Sequence, residues 1–421
     1  MERGEPMRKT MHPESSMMTH GYQPEWSEGA LKCPIFQTST FVFKNAKSGQ
    51  SFFELAYGLR SKKSKESPGL IYSRINNPDL EILESRLCLW DEADSAAVFS
   101  SGMAAITTTV FELCSPGDII LYSEPLYGGT AHFFEKILPR FSIRPISFPA
   151  ALGPASAIER LNRAGGKKKL SMIFVETPAN PTNDLVDIAA CSKFAAECSS
   201  SKRKVVVAVD NTFMGPLWQK PLSLGADLVL YSATKFLGGH SDLIAGVCLG
   251  KKDLLERVRT LRAFLGCMAD AWTGWLLLRS LETLKIRMSE QAQNASRIAE
   301  RLLKYPQIER VYYPSLLPAD TPQGRLYASQ CLGPGSMISF DIRGGRKQAF
   351  KFLDALKLIK LAVSLGGTES LAQHPATMTH VDLGPKLRRR LGIGENMIRL
   401  SVGVENYSDI LKDIETALRA F

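Results

Sequence analysis

The 421-residue chain contains no apolar run of the roughly 18–20 residues needed to span a bilayer as a helix. Its eight cysteines, at 33, 88, 114, 191, 198, 248, 267 and 331, form no CxxC pair. Several lie in apolar runs such as "VFELC" and "AGVCLG", the usage of a reducing compartment where a free thiol serves as a small hydrophobe. The six histidines are equally dispersed, so no metal site is expected. Residues 1–20 are polar and Met-rich, without the apolar core of a signal peptide, and Glu2, Glu5 and Glu14 do not suit a transit peptide. Cytoplasm is therefore the expected location. Internal repeats, low-complexity tracts and helix-turn-helix, zinc-finger or RNA-binding signatures are also missing, so no nucleic-acid partner is expected.

What is present is an ordinary globular composition, 44% hydrophobic and 22% charged, with 52 basic against 42 acidic residues and a net charge of +10. Such an excess could serve a polyanion. It comes, however, in short bursts: Arg60, Lys62, Lys63 and Lys65; Lys167 to Lys169; Lys202 to Lys204; Arg388 to Arg390. Most stand beside Gly, Ser or Pro, which predicts solvated loops.

The length suggests two or three units. Residues 1–75 read as an N-terminal arm ending in an exposed loop at 57–70, "YGLRSKKSKESPGL". In "DLEILESRLCLWDEA" apolar residues recur at helical spacing, and Asp79 is placed to favour the helix start. Seven short apolar runs then alternate with helical segments: "SAAVFS", "DIILYS", "RPISF", "SMIFVE", "KVVVAVD", "DLVLYS" and "AGVCLG". This predicts an α/β fold with a doubly wound, mostly parallel seven-stranded sheet over 76–275. Residues 276–421 predict a smaller α+β domain. There a long helical stretch, in one piece or two, precedes strands at "SMISFDI", "LIKLAVS" and "MIRLSVG".

The chemistry concentrates in "VVVAVDNTFMGPLWQKPLSLGADLVLYSATKFLGGH" (205–240), where one apolar strand ends in Asp210 and another runs into Ser232, Thr234 and Lys235. Ligands of such sheets bind at the carboxyl ends of strands. A buried lysine amine loses its charge readily, which makes Lys235 a candidate for Schiff-base chemistry. Asp210 could hold a pyridinium N–H, and the hydroxyls of Ser232 and Thr234 suit a phosphate. "FSSGMAAITTT" places the N–H groups of Gly102 and Met103 at a helix start, where the dipole also favours phosphate. Tyr127, after another strand, could stack on a planar ring or sit half-buried in the core. Taken singly, each residue also fits a cap, a turn or a solvated side chain. His240 and His374 are expected to satisfy local backbone.

The chain resembles the Cys/Met-metabolism group of pyridoxal-phosphate enzymes, which contains cystathionine γ-synthase, cystathionine γ-lyase and methionine γ-lyase. The resemblance covers about residues 19–420. It is carried, in order, by "THGYQPEWSEGAL", "YSRINNPD", "SSGMAAI", "LYGGT", "ETPANPTNDLVDI", "VDNTF", "GADLVLYSATKFLGGHSDLIAG", "SLGGTESLAQHPATMTH" and "IRLSVGVE". It implies pyridoxal 5'-phosphate as cofactor and fold type I, the aspartate aminotransferase-like architecture. Lys235 would hold the cofactor and shuttle protons, Asp210 would pair with its ring nitrogen, and Tyr127 would stack on the ring and act as acid/base. Gly102, Met103, Ser232 and Thr234 would bind the phosphate, joined by Tyr72 and Arg74 of "YSR" from a neighbouring subunit. Arg399 would clamp the substrate carboxylate, with Asn180 and Ser364 assisting. The expected assembly is a homotetramer built as a dimer of dimers.

The activity so implied is γ-replacement or γ-elimination on a homoserine ester or sulfur amino acid, of the cystathionine γ-synthase or γ-lyase type. Methionine γ-lyase is the alternative. Methionine lyases usually carry Cys where this chain has Gly129 and a Lys near Met268, whereas "SLAQHPATMTH" resembles that branch. An aminotransferase would use the same lysine and aspartate, and a non-catalytic carrier of the cofactor would leave Tyr127 and Arg399 without a task.

Overall fold

The computed structural model describes residues 11–61, 63, 66 and 69–420; Lys62 and Lys65 of the basic loop lie outside these. Seven strands form the large sheet: β1 (Ser95–Phe99), β2 (Ile119–Glu124), β3 (Arg144–Pro149), β4 (Leu170–Glu176), β5 (Val206–Asp210), β6 (Leu228–Ser232) and β7 (Gly246–Gly250). They lie in the order β1-β7-β6-β5-β4-β2-β3. All pair in parallel except β7, which is antiparallel to both β1 and β6. Each expected apolar run is one of these strands.

The runs are continuously apolar because the sheet is covered on both faces. Ile119 and Leu121 pack with the helix Ile188–Cys198, while Ile120 and Tyr122 face the opposite core with the helix Gly102–Leu113. The edge strand β3 differs. It buries only alternate residues and carries Pro145, which an edge tolerates.

The arm holds more regular structure than expected. Ala46–Ala56 is helical, capped by Asn45 accepting from the Ser48 N–H at 2.9 Å. Gly49, Ser48 and Ser51 disguise it as loop, while Phe43 packs edge-on against Phe52 and Phe53. Farther on, Arg60 folds back onto Glu54 and Glu66. The next helix, Pro78–Asp91, is capped by Asn77 and not by Asp79. The buried Asp79 carboxylate instead accepts the Phe36 N–H at 2.8 Å and ties the arm down. Arg388 to Arg390 also depart from expectation, closing the helix Gly384–Arg390 with Arg388 buried.

The stretch 272–305 forms two helices, Ala271–Leu281 and Leu284–Leu302. A second sheet follows: β8 (Ile308–Tyr312), β9 (Met337–Ile342), β10 (Lys360–Leu361), β11 (Leu371–Gln373) and β12 (Met397–Ser401), in the order β10-β11-β12-β9-β8. "LIKLAVS" yields only the two-residue β10, and β8 and β11 were not expected from the sequence. The loop after β4 ties the sheets together. The Asn183 amide donates to Tyr312 O and Met337 O, both at 2.9 Å, and Ser339 Oγ donates to Pro181 O at 2.6 Å. These contacts bring β12 to the carboxyl ends of the large sheet.

Candidate active site

A cavity of about 520 Å³ opens at those carboxyl ends. Its lining includes Gly102, Met103, Tyr127, Asn180, Asp210, Ser232, Thr234, Lys235, Ser364 and Arg399. Residues spread over nearly 300 positions converge because β1, β2, β4, β5 and β6 all end at this rim. Tyr72 and Arg74 are not among them. Tyr72 is exposed, and Arg74 Nη1 donates to Ala263 O at 2.6 Å.

Lys235 follows β6 and donates from Nζ to Ser364 Oγ at 2.7 Å. Burial, reinforced by the positive charge of Arg399, lowers its amine to about 8. Ser364 adopts a left-handed backbone (φ +82°), a strained state for a side-chain-bearing residue. In that state its hydroxyl meets Lys235 and its carbonyl accepts from Arg399 Nη2 at 2.7 Å. Arg399 is buried and braced by several partners. Nη1 donates to Asn180 Oδ1 at 3.1 Å, and Gln373, its neighbour across β11–β12, accepts when its amide oxygen faces the guanidinium. Burial lowers Arg399 to about 10, still charged at neutral pH.

Asp210 and Glu176 end adjacent strands as register partners. Both are buried, and burial pushes both carboxyls upward, Glu176 further through the neighbouring Asp210. Asp210 Oδ1 takes both the N–H (3.0 Å) and the hydroxyl (2.6 Å) of Thr212, leaving Oδ2 without a partner among the described residues. Glu176 and Thr212 were not singled out from sequence, although they stand in "ETPANPTNDLVDI" and "VDNTF".

The opposite wall suits a phosphate. Gly102 and Met103 open their helix, so their N–H groups have no intrahelical acceptor, and Ser101 caps it through Ala104 N at 3.0 Å. A Cβ on Gly102 would stand 2.9 Å from Ser232 Cβ, so glycine keeps this corner open. Thr234 is partly committed, its hydroxyl exchanging hydrogen bonds with Ala245. His240 and His374 bond to backbone carbonyls, Gly238 O at 2.7 Å and Glu395 O at 2.9 Å, and are absent from the cavity lining.

A readily neutralised lysine, a buried aspartate with one free oxygen and an open helix N-terminus match the aldehyde, ring nitrogen and phosphate of one cofactor. Fold and site therefore define a fold type I pyridoxal-phosphate enzyme. Comparison with known proteins agrees. The profile for Cys/Met metabolism PLP-dependent enzymes matches residues 14–419, and the chain belongs to that family. It is 39% identical to the L-methionine γ-lyase of Pseudomonas putida, covering 95% of this chain and 96% of that protein. With cystathionine γ-lyase of Rattus norvegicus it shares 38% identity, over 95% and 93% of the two chains. The structure of cystathionine γ-synthase from Xanthomonas oryzae pv. oryzae with aminoacrylate and cysteine superposes with a TM-score of 0.86 at 30% identity, covering 98% and 99%. Members of this family are carbon–sulfur lyases and γ-synthases that use pyridoxal phosphate.

Proposed function

We propose that the chain catalyses γ-elimination from an L-amino acid with an uncharged γ-sulfur substituent, methionine being the type substrate. The observation that carries this reading is the cavity wall. Its charged residues are Glu176, Asp210, Lys235 and Arg399, each engaged in the arrangement above. Ile244, Val363, Met378 and Phe213 supply apolar surface and offer no ion pair to a second aminocarboxylate such as cystathionine carries. Identity favours neither reading, at 39% to a methionine γ-lyase and 38% to a cystathionine γ-lyase. Gly129 favours the second reading, a cystathionine enzyme. A Cβ there would lie 2.7 Å from Tyr127 Cε1, and this glycine is the point at which "YGGT" resembles those enzymes.

Pyridoxal phosphate, bound by Lys235, Asp210 and the Gly102–Met103 helix start, supplies the electron sink that acidifies hydrogens near the amino carbon. Arg399 grips the substrate carboxylate bidentately, held in place by Asn180 and Gln373. The Lys235 amine takes the Cα proton and delivers it onward, and the Ser364 hydroxyl orients it. Tyr127, which lines the cavity and is 43% exposed, donates a proton to the departing sulfur. With one water the balance is methionine to methanethiol, ammonia and 2-oxobutyrate.

The assembly belongs to the same proposal. Tyr72 and Arg74 lie outside their own cavity, and Val42, Leu59, Phe264, Trp272 and Ile286 are exposed apolar residues that a partner copy would cover. A dimer of dimers would bring Tyr72 and Arg74 to a neighbour's cofactor phosphate. Eight free cysteines support a reducing, cytoplasmic setting.

Product identification tests the reaction. Purified protein is given methionine, cystathionine, or O-succinylhomoserine with cysteine. Methanethiol with 2-oxobutyrate from methionine is expected, whereas cystathionine formation alone selects the second reading. Subunit exchange tests the assembly. Lys235→Ala and Arg74→Ala variants, each impaired alone, should regain about a quarter of native activity when mixed, since half the dimers then carry one intact site. No recovery would refute a shared site.

A further inference from the structure

Two loops that meet at the cavity are held by one buried side chain. Glu176 ends β4 and is 4% exposed. Its Oε2 accepts the Tyr127 N–H at 2.8 Å, and its Oε1 accepts the Asn180 N–H at 2.8 Å. Ser123 Oγ accepts the Glu176 N–H at 3.1 Å and fixes the strand end that carries the carboxyl group. Tyr127 follows β2, whereas Asn180 follows β4 and reaches Arg399 through its own Oδ1. One carboxyl group therefore bridges the aromatic residue to the asparagine that buttresses the guanidinium.

We propose that Glu176 is a positioning residue: its two oxygens lock the Tyr127 and Asn180 backbones together, and through Asn180 they set Arg399 for the substrate carboxylate. The geometry suits this task better than proton transfer, because both oxygens already accept backbone N–H groups. Truncating the side chain strands two buried donors. The amide of Gln is isosteric but keeps a single acceptor oxygen, so one of the two N–H groups then faces an NH₂ group. The proposal rests on the reading of Arg399 as carboxylate clamp, and its test separates the two.

The experiment compares native holoenzyme with Glu176→Gln, Glu176→Ala, Asn180→Ala and the double variant Glu176→Gln/Asn180→Ala. Backbone hydrogen exchange is followed at Tyr127 and Asn180, and KM and kcat are measured with the amino-acid substrate. Glu176→Gln should speed exchange at one of these amides by about tenfold or more, and Glu176→Ala at both. In Glu176→Gln the KM should rise about tenfold, with cofactor absorbance retained. In the Asn180→Ala background the same substitution should leave KM within about twofold, because its route to Arg399 is already cut. Should Glu176→Ala fail to fold, the isosteric glutamine variant decides.

Native exchange at both amides in Glu176→Gln would overturn the proposal. So would KM losses that multiply in the double variant. Arg399→Lys serves as control. An unchanged KM there refutes the clamp reading itself, while a raised KM there with an unaltered KM in Glu176→Gln refutes the role of Glu176 alone.

Discussion

At Lys235 the protein sets an amine where its ordinary charge is hard to keep. Burial acts first and Arg399 second, and together they lower the amine to about 8. Below that pH it is protonated and cannot attack an aldehyde; above it the neutral form dominates, well short of the usual lysine range near 10.5. Attachment of pyridoxal phosphate to cofactor-free chain should therefore rise with pH through about 8 and then level off, followed by the visible absorbance. A rise confined to pH near 10.5 would contradict the environment described. Single residues also mark how far sequence reasoning carried. Lys235, Asp210 and Ser232 stand at the ends of apolar runs, where any doubly wound sheet gathers its ligands. Glu176 stands in the same kind of place yet went unnoticed, because a polar residue closing a strand also looks like an ordinary terminator. Its task became visible only through an N–H partner 49 residues away.

Among the elements, the junction of β1, β6 and β7 is the most tightly specified. Gly246 opens β7 and pairs with Phe99 on one side and Ser232 on the other. A Cβ there would stand 2.1 Å from Ser101 O and 2.8 Å from Gly102 N, backbone atoms that cannot swing aside. Gly246→Ala should cost about 1–3 kcal/mol of stability and loosen the phosphate corner. Denaturant midpoints and cofactor retention on dialysis measure both, and native values for both would contradict this account of the corner. The large sheet was legible because all its strands except the edge strand β3 are buried on both faces and read as apolar runs. The second sheet was less so: β8 has only Ile308 buried, and β11 is three residues long. The helix at 46–56 escaped because Gly49 and its serines mimic a loop.

Across the whole molecule, the basic surplus sorts by position. Lys167 to Lys169 precede β4 and Lys202 to Lys204 precede β5, at the end of the sheet remote from Glu176 and Asp210. Some of this charge is paired: Lys204 and Lys251 both reach Asp227, at 2.6 and 2.7 Å, and Arg203 meets Asp118. The cavity itself uses few cations, Lys235 and Arg399 within the chain and, by proposal, a neighbour's Arg74. The net charge was therefore a poor guide to function, while the order of strand ends was a good one. By proposal, Lys235 is the residue that carries the cofactor. Borohydride reduction of the holoenzyme, followed by peptide mass mapping, tests this most directly. The pyridoxyl mass should appear on the peptide containing Lys235 and vanish in Lys235→Ala. An adduct on another lysine, such as the half-buried Lys220, or no adduct at all, would contradict it.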